Sequence, residues 1–153
     1  MSLMAGQATA PRTRRARQSV LIVAALRTAT PCARLHARTI AHEWGLGDLA
    51  DTVELVVSEL VTNAVQASVD RDGRPQYSGE NGLACVHLRL STDGQAALIE
   101  VWDENATPPE PTEPGLADES GRGLMLVDAL AGRWGWDLPP SGRGKVVWAL
   151  VEH

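Results

Sequence analysis

The stretch from Asp48 to Ser68 contains neither glycine nor proline and constrains the fold more than any other part of the chain. Leu49, Val53, Val56, Val57, Leu60 and Ala64 recur at spacings of three and four, which predicts one long helix with a single apolar stripe. Asp48 or Asp51 is placed to cap its start, where an acidic group also suits the helix dipole. Glu59 and Asn63 lie four apart and so stand one above the other. On a helical wheel they fall about 60–100° from the centre of the stripe, at the edge of the buried face. A carboxylate and a carboxamide held there need partners. Alone, such a pair reads most simply as a polar helix edge, so its meaning depends on what the rest of the chain brings to it.

The chain has 153 residues, enough for one domain with a real core. Its longest apolar run, Val20 to Leu26, is far too short to span a bilayer. The start lacks the layout of a signal peptide, so a cytoplasmic location is expected. Cys32 and Cys85 have no CxxC spacing, and His36, His42, His87 and His153 share no ligand spacing. They read as reduced structural thiols and ordinary histidines. Arg12, Arg14, Arg15 and Arg17 stand in residues 1–17 without an acid, which leaves the rest of the chain four units below the whole-chain charge of −5, at −9. A body that acidic argues against a nucleic-acid platform. Residues 1–17 read as a disordered basic leader and 18–153 as the domain.

Lys145 is the only lysine, and it does not close a P-loop: Val146 follows it and no glycine stands at the required spacing before Gly144. The V-A-I-K, H-R-D and D-F-G signatures of eukaryotic protein kinases are absent as well. A nucleotide, if bound, must be held by another route.

Taken in order, Ser19 to Leu26 reads as a strand. Thr30-Pro31 marks a helix start, with Thr30 as cap and Leu35, Thr39, Ile40 and Trp44 on a common face. Gly45 to Gly47 ends that helix, and the long helix follows. Asp70 to Gly82 is a polar loop. Leu83 to Leu90 and Ala96 to Trp102 are strands joined at Asp93-Gly94, a strong hairpin signal. A proline-rich segment, Ala106 to Ser120, precedes Gly121-Arg122-Gly123 and a helix from Leu124 to Ala131. Strands around Arg133 to Leu138 and Lys145 to Val151 close the chain. The order βααββαββ predicts an α+β fold, a two-layer sandwich with helices on one face of a mixed, mostly antiparallel sheet.

Two further pieces could carry chemistry. Strand alternation sets Ile99, Val101 and Asp103 on one side and Leu98, Glu100 and Trp102 on the other. Glu100 marks its side as wet, so Asp103 points toward the core. A buried carboxylate costs several kcal/mol, roughly, unless a strong donor meets it. The exocyclic amino group of a purine would serve; a cap on the following loop is the simpler alternative. Gly121 and Gly123 stand before a helix, where exposed amides can bind phosphate, although such a pair is often only a tight turn.

Together, Ser58-Glu-Leu-Val-Thr-Asn-Ala64, Val101-Trp-Asp-Glu-Asn105 and Gly121-Arg-Gly-Leu-Met-Leu-Val127 resemble the three blocks of the GHKL, or Bergerat, ATP-binding fold, in the same order. That fold is shared by gyrase-type, chaperone, histidine-kinase and mismatch-repair ATPases. The closest likeness is to the stand-alone bacterial anti-sigma factor serine/threonine kinases, over about residues 19 to 151. The resemblance implies that Asn63 binds Mg²⁺ and that Glu59 is the general base of phosphoryl transfer from ATP. It implies that Asp103 reads the adenine amino group and that Gly121 and Gly123 offer amides to the phosphates. Asn105, Arg122 and Leu124 complete the nucleotide contacts, with Ala106 to Ser120 as the lid. Sigma factors or anti-anti-sigma proteins would be the partners, and a homodimer is the implied assembly. Two departures stand out: Asn105, Ala106 and Thr107 replace the glycines that often follow the aspartate, and Gly144-Lys145 stands where the family has Gly-Thr. Three functions are therefore in play: a protein kinase regulating transcription by partner switching, a non-catalytic ATP-binding switch, and a binding domain without nucleotide.

Overall fold

The structure, a computed structural model, describes residues 6–11, 17–69, 82–109 and 119–153. Strand β1 (Arg17–Ala24) is followed by helices α1 (Ala29–Glu43) and α2 (Ala50–Ala67), the hairpin β2 (Cys85–Thr92) and β3 (Ala97–Asp103), helix α3 (Glu119–Leu130), and strands β4 (Arg133–Asp137) and β5 (Lys145–Val151). The order matches the sequence expectation. The sheet runs β1-β2-β3-β5-β4. Among the described residues the four strand pairings are antiparallel, and the parallel component implied by a mixed sheet is seen in the isolated bridge between Gln7 and Trp136.

One face of the sheet carries the helices. Helix α2 buries Val53, Val56, Val57, Leu60, Val61 and Ala64, essentially the predicted stripe, against Leu88, Ile99, Val101, Val147 and Ala149 from the three central strands. Each fully buried valine or leucine contributes about 1.5–3 kcal/mol before the cost of ordering the chain. The stripe is thus what fixes α2 over the sheet. Neither expected acidic cap forms: a single 3-10 turn (Gly47–Leu49) leads into α2, Leu49 is the N-cap, and no side chain bonds the free amides. Asp51 instead accepts from Arg38 of α1 at 2.8 Å, and Glu54 from the same guanidinium at 2.7 Å.

Helix α1 departs from the sequence reading in a similar way. It starts at Ala29, one residue before the expected cap, and the Thr30 hydroxyl instead bonds the Thr62 hydroxyl of α2 at 3.1 Å. Its buried face is the four-residue repeat Ala29, Ala33, Ala37, Ala41, with Ile40 and Trp44 at its margin, while Leu35 is 70 % exposed. Small residues repeated at i+4 let two helix backbones approach closely. Of the face read from the sequence, Ile40 and Trp44 pack against the core, and the alanine ridge beside them is what meets α2.

The β2–β3 hairpin turns where expected. Gly94 takes a left-handed φ of +100°, and the Asp93 carboxylate accepts from the amides of Gln95 (2.8 Å) and Ala96 (2.9 Å), bonds that hold its pKa below the ordinary value.

The opposite face of the sheet is not uniformly wet. Ala96, Leu98, Trp148 and Leu150 form a second, smaller cluster, reached by Ala10 of the N-terminal segment. Residues 6–11 of the leader therefore lie on the sheet. Ala8 donates its amide to Trp136 O at 2.8 Å, and Trp148 Nε1 donates to Ala8 O at 2.6 Å. Gly135 makes room for this: a Cβ there would stand 3.0 Å from the Trp148 ring and 3.3 Å from Gly6 O. The rest of that face carries the Arg89–Glu100 ion pair, the His87–Trp102 ring contact at 4.6 Å, and the exposed Val20 and Ile22 of edge strand β1. Residues 70–81 of the polar loop and 110–118 of the expected lid lie outside the described residues.

Candidate functional site

Between α2, the end of β3, the start of β5 and the first turns of α3 lies a cavity of about 250 Å³. Leu60, Ala64, Val101, Leu124 and Val147 give it apolar walls, and Asn63, Asp103 and Lys145 are polar groups on it beside Gln66, Asn105 and Thr107. Each reaches the cavity for a local reason. Asn63 follows Leu60 on α2 by three residues, just off the stripe. Asp103 continues the inward alternation of Ile99 and Val101. Lys145 opens the inward series Val147, Ala149, Val151 on β5 and is the register partner of Asp103.

Asp103 and Lys145 form the deepest polar pair, only 1 % and 4 % exposed. Lys145 Nζ donates to Asp103 Oδ1 at 3.0 Å, stands 2.9 Å from Oδ2, and donates to the Asn105 carbonyl at 2.9 Å. Asp103 Oδ1 also accepts from the Asn105 amide at 2.8 Å. Burial pushes the Asp103 carboxyl above its ordinary pKa, and the Lys145 ammonium pulls it only part of the way back. The donor that the sequence demanded for Asp103 is thus supplied by the protein itself. Asn105 holds this arrangement to the end of α2, donating from Nδ2 to Ala67 O at 3.0 Å while its Oδ1 accepts from the Thr107 amide. Gly144 completes it. At φ +73° it has no room for a side chain, because a Cβ would run into the Asp103 carbonyl and the Trp102 indole.

Asn63 is the converse case. Both its carboxamide atoms are buried, and neither has a hydrogen-bond partner among the described residues. A buried polar group left so costs about 1–3 kcal/mol. The carboxamide fits a ligand that supplies its partners, and its oxygen is the donor type that Mg²⁺ takes.

The structure places Asn63, Asp103, Asn105 and Leu124 together on the cavity. Glu59 lies one turn before Asn63 but does not line the cavity, because its carboxylate packs against Gly123, where a Cβ would collide with Glu59 Oε2. Gly121, Arg122 and Gly123 do not precede α3 as the sequence suggested. The helix begins at Glu119, so they belong to its first two turns. Only the first four amides of a helix lack intrahelical partners. Gly121 keeps an available amide by that rule, whereas Arg122 and Gly123 do not, and the visible role of Gly123 is to admit Glu59. The proline-rich residues 107–109 line the cavity mouth.

Lys145 was noted in the sequence as a unique residue, but not as a site residue. Strand alternation with Val147, Ala149 and Val151 was the signal that points it inward. Among the described residues no helix is long and apolar enough to cross a membrane.

The chain shares 38 % identity over 60 residues with an uncharacterised protein of Streptomyces coelicolor, a match covering 39 % of this chain and 57 % of that relative. The chain thus spans little more than half the length of that relative. Residues 22–150 match the family model of the histidine kinase-like ATPase domain, a span that runs from the last residues of β1 through β5 short of Val151. With the helices on one face of a five-stranded antiparallel sheet and a polar-ended cavity under α2, the chain belongs to the histidine kinase-like ATPase domain family.

Proposed function

We propose that the cavity holds Mg-ATP and that the protein is a serine/threonine protein kinase. It phosphorylates an anti-anti-sigma-type partner and so regulates transcription by partner switching. The observation that carries the nucleotide part is Asn63: a buried carboxamide with no partner of its own, opening on the same cavity as Asp103. In this reading Asn63 and phosphate oxygens hold the Mg²⁺, whose charge offsets that of the phosphates. Asp103 accepts a hydrogen bond from the base, and the apolar walls enclose the base faces. Available amides of the first turn of α3, that of Gly121 among them, face the phosphates, with the segment around residues 106–120 as the lid. Glu59 accepts the proton of the attacking seryl or threonyl hydroxyl. A sigma factor and a second copy of the chain are further partners of this reading.

A second reading, a non-catalytic ATP switch that sequesters a protein partner, is favoured by one observation. The Glu59 carboxylate is packed on Gly123, outside the cavity lining. Labelled ATP incubated with a panel of small host proteins, using wild type and Glu59→Gln, separates the two. Label transfer by wild type and none by Glu59→Gln, with ATP binding retained in both, establishes the kinase. ATP binding without transfer by either protein leaves the switch, and transfer at the wild-type rate by Glu59→Gln removes Glu59 from the base role.

A further inference from the structure

The Asp103–Lys145 pair bears on which base the cavity accepts, an inference that rests on its reading as a nucleotide pocket. A lone carboxylate at the end of a base slot is an acceptor. It favours an exocyclic amino group, as on adenine, and repels a 6-oxo group. Here the carboxylate does not stand alone. Lys145, the only lysine in the chain, is its cross-strand partner on the same cavity. Of the three N–H groups of the ammonium, one is given to Asp103 Oδ1 and one to the Asn105 carbonyl, which among the described residues leaves a donor. Of the two carboxylate oxygens, Oδ1 accepts from Lys145 and from the Asn105 amide, while Oδ2 is in ion-pair contact only and keeps acceptor capacity. The apolar walls, Leu60, Ala64, Val101, Leu124 and Val147, offer no competing side-chain hydrogen bond, and the Asn105 carboxamide is engaged with Ala67 O and the Thr107 amide. The base end of the cavity therefore presents an acceptor and a cationic donor side by side.

Two purine edges match that pattern. Adenine offers its N6 amino group to the carboxylate and N1 to the ammonium. Guanine offers N1–H and N2–H to the carboxylate and O6 to the ammonium. We propose that Lys145 is a specificity-determining residue that converts an adenine-selective carboxylate into a site accepting guanine nucleotides alongside adenine nucleotides. The ammonium supplies the donor that O6 requires and removes the acceptor–acceptor repulsion that would otherwise exclude it.

The test is displacement of a fluorescent ATP analogue from the full-length chain by ATP, GTP and ITP in the presence of Mg²⁺. GTP and ITP should compete within about tenfold of ATP, because each loses no hydrogen bond that ATP makes. A GTP affinity more than tenfold below that of ATP overturns the proposal. In Lys145→Thr both bases lose the bond from the ammonium, but only the 6-oxo group is then left facing an unscreened carboxylate, so the affinity for GTP should fall at least tenfold further than that for ATP. An unchanged ratio overturns it equally. Lys145→Arg keeps the cation and its donors and should keep the wild-type ratio; should Lys145→Thr fail to fold, the wild-type series and Lys145→Arg decide. Binding of ATP alone sinks the base inference and leaves the nucleotide reading intact. Failure of the analogue and of every nucleotide to bind removes the nucleotide reading, and this inference with it.

Discussion

Replacing Lys145 by methionine isolates the cost of the buried pair. The substitution keeps the length and much of the volume of the side chain, so its effect is that of the lost charge and hydrogen bonds. Asp103 is left 1 % exposed with, among the described residues, only the Asn105 amide as donor. Removing one partner of a buried pair costs about 3–5 kcal/mol, because the remaining charge is uncompensated. At about 2–4 °C per kcal/mol for a domain of this size, the melting temperature should drop by roughly 6–20 °C at pH 7. The penalty should also depend on pH with a definite sign. The folded-state pKa of Asp103 is already raised above its ordinary value, so the folded state binds the proton more tightly than the unfolded chain. Stability contributed by this group therefore rises as pH falls through the folded pKa toward the ordinary one. Loss of Lys145 raises the folded pKa further, so the gap between variant and wild type should narrow on acidification from pH 7 to about pH 4.5. The double variant Asp103→Asn with Lys145→Met should recover most of the loss, since no buried charge remains. Urea denaturation of the four proteins of this cycle at both pH values is the assay. A Lys145→Met cost below about 1 kcal/mol, the same at both pH values, would refute the buried-pair argument, since an exposed pair contributes only that much.

Asn63→Ala should leave stability unchanged or raise it by up to about 1 kcal/mol, since it removes a buried group without partners. The same change should abolish the rise in melting temperature caused by Mg-ATP; destabilisation together with a retained Mg-ATP shift would show that the carboxamide serves the fold. Gly144→Ala should destabilise by more than about 2 kcal/mol, because left-handed backbone and a collision with the Asp103 carbonyl coincide there, and thermal melting reads it directly. His36, which shares a hydrogen bond with Ser19 at 2.9 Å, has its pKa lowered by burial, with Glu43 opposing. Its contribution is present above the ordinary histidine pKa of 6.5 and is lost as pH falls through the lower folded value. His36→Gln should therefore flatten the acid side of the stability profile just below pH 6.5, and an unchanged profile would exclude this histidine as its cause.

The sequence by itself determined the order of elements, the long helix and its buried face, and the inward direction of Asp103. Each of these follows from a periodicity that only one secondary structure satisfies. Val53, Val56, Val57 and Leu60 recur at helical spacing, and Ile99, Val101 and Asp103 alternate as a strand does, so burial was implied before any partner was known. Motif order likewise brought Asn63, Asp103 and the Gly121 block to one nucleotide reading. What remained depended on distances between segments far apart in the chain. The alanine ridge of α1 was illegible because side-chain size said nothing about how closely α2 would approach. The anchoring of residues 6–11 depended on the space left by Gly135 beside Trp148. The first turn of α3 began earlier than its glycines suggested, which left Gly123 as a gap for the Glu59 carboxylate. Above all, only the β3–β5 register set Lys145 against Asp103, 42 residues apart in sequence. Local pattern fixes which way a side chain points, whereas tertiary packing decides what it meets. In this protein the packing gave Asp103 a partner and left Asn63 without one.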